Sequence, residues 1–352
     1  MRSIAEIQTP NGLNARPYTC IITIILLGVA GALAQNIKST PGAPPDLAQY
    51  KAVTLSNELL KVRMYLPDAE NGYYRGTRFD WSGLVSRVDF RNHTFFCEFR
   101  EQHDPLNHDD ICGACEEFAM TVPPLGYTEA GRGEPFIKIG VGVLERGDDP
   151  AFQFWRRYKI RTPGAWKVTA SKESIEFKQE LQGVSGWGYA YTKTLRLAAD
   201  APVLTISRQL TNTGTRTIET DHYGHNFLRI DDALSGPDYT LDFPFTPRFG
   251  ERAETQGAAE LRGNSLVFLK EIHDKAVWIL LEGYSKPEDS AMTVVNHRTK
   301  ASMTITTDQP LARLVFYSSG GVLAPEPFVK FSIPPGKTRE WTTSYRFAAE
   351  GR

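Results

Sequence analysis

The chain has 352 residues, 41% of them hydrophobic and 23% charged, with a formal net charge of −1. That is enough apolar material for a sizeable core, and the lack of a basic patch interleaved with aromatics argues against a nucleic-acid partner. Aromatic residues at 11%, with 29 glycines and 22 prolines, favour strands and turns.

At the N-terminus, Arg2 and Arg16 precede the apolar run Cys20–Ala30, and Ala32-Leu33-Ala34 offers a small-x-small cleavage site before Gln35. This predicts a signal peptide over residues 1–34 and export to the periplasm or the cell exterior. The apolar run is short for a span, so no membrane association is expected beyond the signal. Residues 35–50 are polar and proline-rich and read as a linker. A single β-sandwich domain is expected over 51–352.

Strand-like runs then follow closely. They are read at Val53–Leu55, Leu59–Tyr65, Leu84–Phe90 and Thr94–Phe99, then at Phe136–Leu144, Arg157–Arg161, Lys167–Ala170, Ser174–Glu180 and Tyr189–Leu197. Further runs are Val203–Leu210, Thr217–Thr220, Thr240–Phe243, Ser265–Phe268, Val277–Leu281 and Met292–Asn296. The last are Ser302–Thr306, Arg313–Tyr317, Val329–Ile333 and Glu340–Phe347. Several alternate with period two, and amphipathic helical patterns are nearly absent. The expected fold class is all-β, with large antiparallel sheets packed as a sandwich.

Residues 100–135 are the least strand-like and read as a long loop over the site, because long loops in compact domains are usually functional or disordered. The segment holds Cys112 and Cys115. With Cys97 they leave an odd number of thiols after export. A disulfide, a zinc site completed by Cys97 and His108, or buried free thiols all fit the spacing. No second C-x-x-C supports the metal, and none is assigned.

The chain is organised around 210–231, LTNTGTRTIETDHYGHNFLRID. Asn212 can bond its own backbone and Gly214 supplies a positive φ cheaply, so Val203–Leu210 and Thr217–Thr220 are expected to form a hairpin. His222 and His225 then follow among aromatics. Their odd separation puts them on opposite faces of a strand, so one of the two enters a site there.

Asn212-Thr213-Gly214 and Tyr223-Gly224-His225-Asn226-Phe227-Leu228 resemble the galactose mutarotase-like superfamily, which includes the aldose 1-epimerases. A second match lies near the C-terminus: Glu326, then Pro335-Gly336, then Tyr345-Arg346-Phe347. The resemblance implies a large antiparallel sandwich and anomer interconversion of a free sugar, with His225 as acid and Glu326 as base. Such ring opening needs no metal or redox cofactor, so none is expected. Glu326 sits between two prolines, which stiffen the backbone around it. Candidate substrate holders are Arg78, in the run Thr77–Trp81, with His108, Glu117 and Asn226. The His-Gly-Gly-like motif of aldose 1-epimerases is missing, which marks a divergent branch.

Two other readings remain. One is a sugar-binding sandwich without turnover. The other is a lyase or hydrolase, and hydrolysis would need a second carboxylate beside Glu326. For the enzyme, the pair is expected to face each other across one concave pocket. They would stand further apart than a hydrogen bond, with a pyranose ring between them.

Overall fold

A computed structural model describes residues 47–100, 102–273 and 275–350. The expected signal peptide, 1–34, and most of the linker lie outside these residues. Twenty-three strands and two short 3-10 turns account for the regular structure, with no α-helix among the described residues. They form two ten-stranded antiparallel sheets and one three-stranded sheet. The described residues fall within one compact unit, Pro44–Arg352.

Eight strands position the site. They are β1 (Ala114–Phe118), β2 (Val203–Asn212), β3 (Ile218–Asn226) and β4 (Arg248–Glu254), then β5 (Val277–Glu282), β6 (Arg313–Ser319), β7 (Val322–Ile333) and β8 (Thr338–Ala349). One large sheet ends in the order β1-β3-β7-β6-β5-β4. In the other, β2 lies beside β8. Inward side chains of the two sheets, such as Val62 and Val88 on one and Phe177, Leu195 and Ile206 on the other, form one core cluster. Full burial of each such side chain stabilises by about 1.5–3 kcal/mol.

The expected hairpin is corrected. β2 pairs with β8 while β3 pairs with β1 and β7, so the turn between β2 and β3 is an arch crossing from one sheet to the other. Asn212 does bond locally, its Oδ1 accepting from the Gly214 amide at 3.0 Å, and its Nδ2 donates to Ile333 O in the facing sheet at 2.7 Å. Gly214 is required for a different reason from the one expected. A Cβ there would meet Gly186 O at 2.5 Å, so close approach excludes a side chain.

The expected loop over 100–135 is also corrected in part, because β1 lies within it and is buried along its whole length. Glu326 likewise lies inside a strand, β7. Proline has no amide donor, and Glu326 is flanked by Pro325 and Pro327. The β3–β7 pairing stops at Tyr223↔Phe328 and resumes only as an isolated bridge, Leu228↔Leu323. The two prolines fall in that gap, which leaves the ladder open at the level of His225 and Glu326.

Candidate active site

Side chains along β3 alternate faces. His222 points into the sandwich, where Trp341 Nε1 donates to its Nδ1 at 3.2 Å and Glu116 lies 3.4 Å from its Nε2. Burial lowers this imidazole to about 4 despite the Glu116 contact, so it is neutral. His225 points to the other face with Tyr223 and Phe227. The period-two reading, that only one of the two histidines enters a site, therefore holds.

His225 Nε2 lies 3.1 Å from Glu326 Oε1. The two residues share one face and meet directly, so the expected gap of a sugar ring between them is not present. The side chains are 5% and 8% exposed, which makes this a closed, nearly dry contact. Phe227 stacks on the imidazole at 4.1 Å, and Phe79 and Tyr317 present edges at 5.8 Å each. Nδ1 of His225 is buried without a hydrogen-bond partner.

This apolar box sets the charge state of the pair. Burial, helped by the positive charge of Arg78, holds His225 well below the usual imidazole range. Burial raises Glu326 to about 8, with the charge of Glu117 adding and those of Arg78 and Arg313 opposing. Near neutrality the pair is therefore uncharged and carries one proton between carboxyl and imidazole. Two coupled groups of this kind titrate as a unit.

Arg78 and Glu117 come together beside the pair. Arg78 Nε donates to Glu117 Oε2 at 2.8 Å, and its Nη2 donates to Tyr223 Oη at 2.9 Å. Tyr223 Oη donates to Glu117 Oε2 at 2.7 Å, and Lys138 Nζ donates to Oε1 at 3.1 Å. Burial would raise the Glu117 carboxyl, but Lys138 and Arg78 outweigh it and hold Glu117 low. The Arg78 guanidinium lies between the rings of Phe79 and Phe154, at 4.3 and 4.5 Å. Phe154 sits on the connection between strands Gly142–Glu145 and Lys159–Pro163 of the small sheet. That connection covers the site.

His108 lies at the edge of this cover, its ring 6.2 Å from that of Phe154 and lowered by burial. Asn226 corrects the expectation of a substrate contact. It points into the sandwich, where its Nδ2 donates to Pro325 O at 2.8 Å and its Oδ1 accepts from Tyr345 Oη at 3.0 Å. It splices β3 to β7 where the ladder is open. The cysteines are buried free thiols, and no metal-holding group of His, Cys, Asp or Glu occurs among the described residues.

Sequence reasoning missed Tyr223, Phe227, Tyr317 and Lys138. The first two share the period-two face of His225 and were open to that argument. Tyr317 and Lys138 arrive from distant strands and carry no local signal.

No protein-family model matches the sequence, and no curated protein sequence does. Solved structures do. A protein from Synechocystis sp. PCC 6803 superposes with a TM-score of 0.54 at 12% identity, over 90% of this chain and 99% of that one. An aldose epimerase homologue from C. elegans gives 0.52 at 12%, over 86% and 100%. A galactose mutarotase related enzyme from Lactobacillus acidophilus gives 0.51 at 14%, over 85% and 98%. The fold is galactose mutarotase-like. At these identities the likeness is one of fold, and the chemistry rests on the side chains. Within this galactose mutarotase-like sandwich, the His225–Glu326 pair lies on the face of the β1-to-β4 sheet that is turned away from the core.

Proposed function

We propose that this protein is an exported aldose 1-epimerase-like isomerase that interconverts the anomers of a free sugar. The observation that carries the reading is the buried His225–Glu326 pair, an acid and a base from separate strands holding one exchangeable proton in an aromatic-walled box. In the reaction the sugar ring enters between them. Glu326 as carboxylate takes the proton from the C1 hydroxyl, His225 as imidazolium protonates the ring oxygen, and the C1–O5 bond breaks to give the open aldehyde. Rotation about C1–C2 and the reverse transfers close the ring on the other face. Both residues return to their starting protonation, so one shared proton suffices. The unpartnered Nδ1 of His225 is free for a substrate hydroxyl.

A second reading, a sugar-binding protein without turnover, is favoured by the direct contact of the pair, which occupies the space a ring would need. Hydrolysis is disfavoured because Glu117, a carboxylate whose charge reaches Glu326, is held by Lys138 and Arg78. The deciding experiment is anomer exchange, followed by NMR or polarimetry across a panel of freshly dissolved sugars. Exchange no faster than in buffer for every sugar, with sugar binding retained, selects the binding protein. Export is tested separately by sequencing the mature N-terminus, expected near Gln35. A soluble extracytoplasmic form beginning at Met1 would rule the signal peptide out.

A further inference from the structure

The sheet face that carries the pair continues past it across β6, β5 and β4. Val277, Ile279 and Leu281 of β5 are buried in the core, so Trp278 and Leu280 face the same side as Glu326. The register Glu326↔Val315 and Val315↔Leu280 makes a continuous strip outward from the pair. Two strand spacings of about 4.8 Å carry that strip one sugar unit beyond the site. Trp278 and Leu280 are partly exposed along it.

The charges on this strip are unequal in one respect. Arg252 lies 4.5 Å from the Trp278 ring centre, but its Nε is paired with Glu254 at 2.7 Å. Arg248 is paired with Glu282 at 3.1 Å. Arg313 lies over Trp278 and Phe328 at 5.4 and 5.8 Å, and its side chain makes no ion pair or hydrogen bond among the described residues. Its Nε is buried without a partner. A buried guanidinium nitrogen left unmatched is costly unless a ligand completes it, and the planar fork fits a carboxylate. An indole face beside it offers the apolar surface on which a sugar ring stacks.

We infer that Trp278 and Arg313 form a second subsite for a further sugar unit bearing a carboxylate, so that the substrate is the reducing end of an acidic oligosaccharide. This rests on the epimerase reading for the reaction, though not for the binding. The unit next to the reducing end stacks on Trp278, and Arg313 takes its carboxylate. The reducing end itself lies at His225 and Glu326.

The test measures binding by calorimetry to the full mature chain, with galacturonate, digalacturonate, dimannuronate and galactobiose as probes. A uronate dimer should bind at least tenfold tighter than both galacturonate and galactobiose, and added salt should weaken the uronate dimer more than galactobiose. Trp278→Ala and Arg313→Met should each lower the dimer-to-monomer affinity ratio at least tenfold, and Arg313→Met should also remove the preference for the acidic dimer. Equal affinity for monomer and dimers in the wild type would overturn the subsite, as would a ratio that neither variant moves. The wild-type salt dependence decides the matter should a variant fail to fold. Anomer exchange is recorded on the same samples. Dimer preference without exchange keeps the subsite and removes the epimerase, whereas exchange without preference does the reverse.

Discussion

Glu116 and Glu117, adjacent in β1, face opposite sides of one sheet, and each is neutralised by its own cations. Glu116 lies inside the sandwich with Arg208 and, at 3.0 Å, Lys193. Glu117 lies on the outer face, 2.8 Å from Arg78 and 3.1 Å from Lys138. Burial works to raise both carboxyls, and the cations outweigh it, so both are held low. Glu326, on the same face as Glu117, has no such partner and keeps its proton to about 8. Glu117 is thus a fixed anion that positions Arg78, while Glu326 is free to exchange a proton.

Arg78→Met leaves Glu117 buried with Lys138 as its only cation. Removing one partner of a buried pair costs about 3–5 kcal/mol, because the remaining charge is stranded. Urea unfolding should show a loss of that order. A loss below about 1 kcal/mol would mean that Glu117 is stabilised mainly by Lys138 and Tyr223.

The pair also shapes stability against pH. In the fold it carries one proton, because His225 is depressed and Glu326 is raised, to about 8. Unfolded, the two groups carry two protons below 4.5, one between 4.5 and 6.5, and none above. The unfolded state therefore binds more protons at low pH, and stability falls as pH drops below 4.5. Between 6.5 and about 8 the folded state binds more, and stability falls as pH rises. The alkaline arm amounts to about 2 kcal/mol. Glu326→Gln should flatten it, so its stability relative to wild type should rise between about pH 6 and about pH 8. A difference that is constant with pH would contradict the raised carboxyl.

Burial pushes Cys97 up to about 12 and Cys112 and Cys115 well above the usual thiol range. Thiolate is the reactive form, so all three should resist a thiol-selective reagent in the native protein and react in denaturant. Mass spectrometry of the native, alkylated protein checks this. Rapid labelling of any of the three without denaturant would contradict the packing.

Much of the fold was legible because period-two alternation is local, as in Ser174–Val184 and Ala301–Thr307. The separation of His222 from His225 onto opposite faces followed from the same rule. Pairing is not local, which is why β2 and β3 read as a hairpin although they belong to different sheets. β1 was hidden by its own composition, since Cys-Glu-Glu reads as exposed, and the cations that make it buriable come from Arg78, Lys138, Lys193 and Arg208. Glu326 read as a loop residue because prolines rarely sit within a paired strand. Here they fall where the β3–β7 ladder is interrupted. Asn226, adjacent to His225, was assigned by proximity in sequence, and the alternation that separates the histidines turns it inward too.

The reaction itself is tested by His225→Asn and Glu326→Gln. Both keep much of the side-chain volume and delete the proton transfer. Positioned acid–base catalysis is worth about 10²–10⁴ in rate, and each variant should lose that much in anomer exchange. Sugar affinity, measured by calorimetry, should change far less. The active state has one proton on the pair, with the sugar between the two groups, so exchange by the wild type should decline as pH rises through about 8, where Glu326 loses its proton and His225 is already neutral. Because the resting side chains are in contact at 3.1 Å, sugar entry must part them. A structure with bound sugar should therefore show His225 Nε2 and Glu326 Oε1 separated by the ring. Should the sugar lie elsewhere while that contact stays closed, with both variants exchanging anomers at the wild-type rate, the pair is structural and the chemistry belongs to other residues.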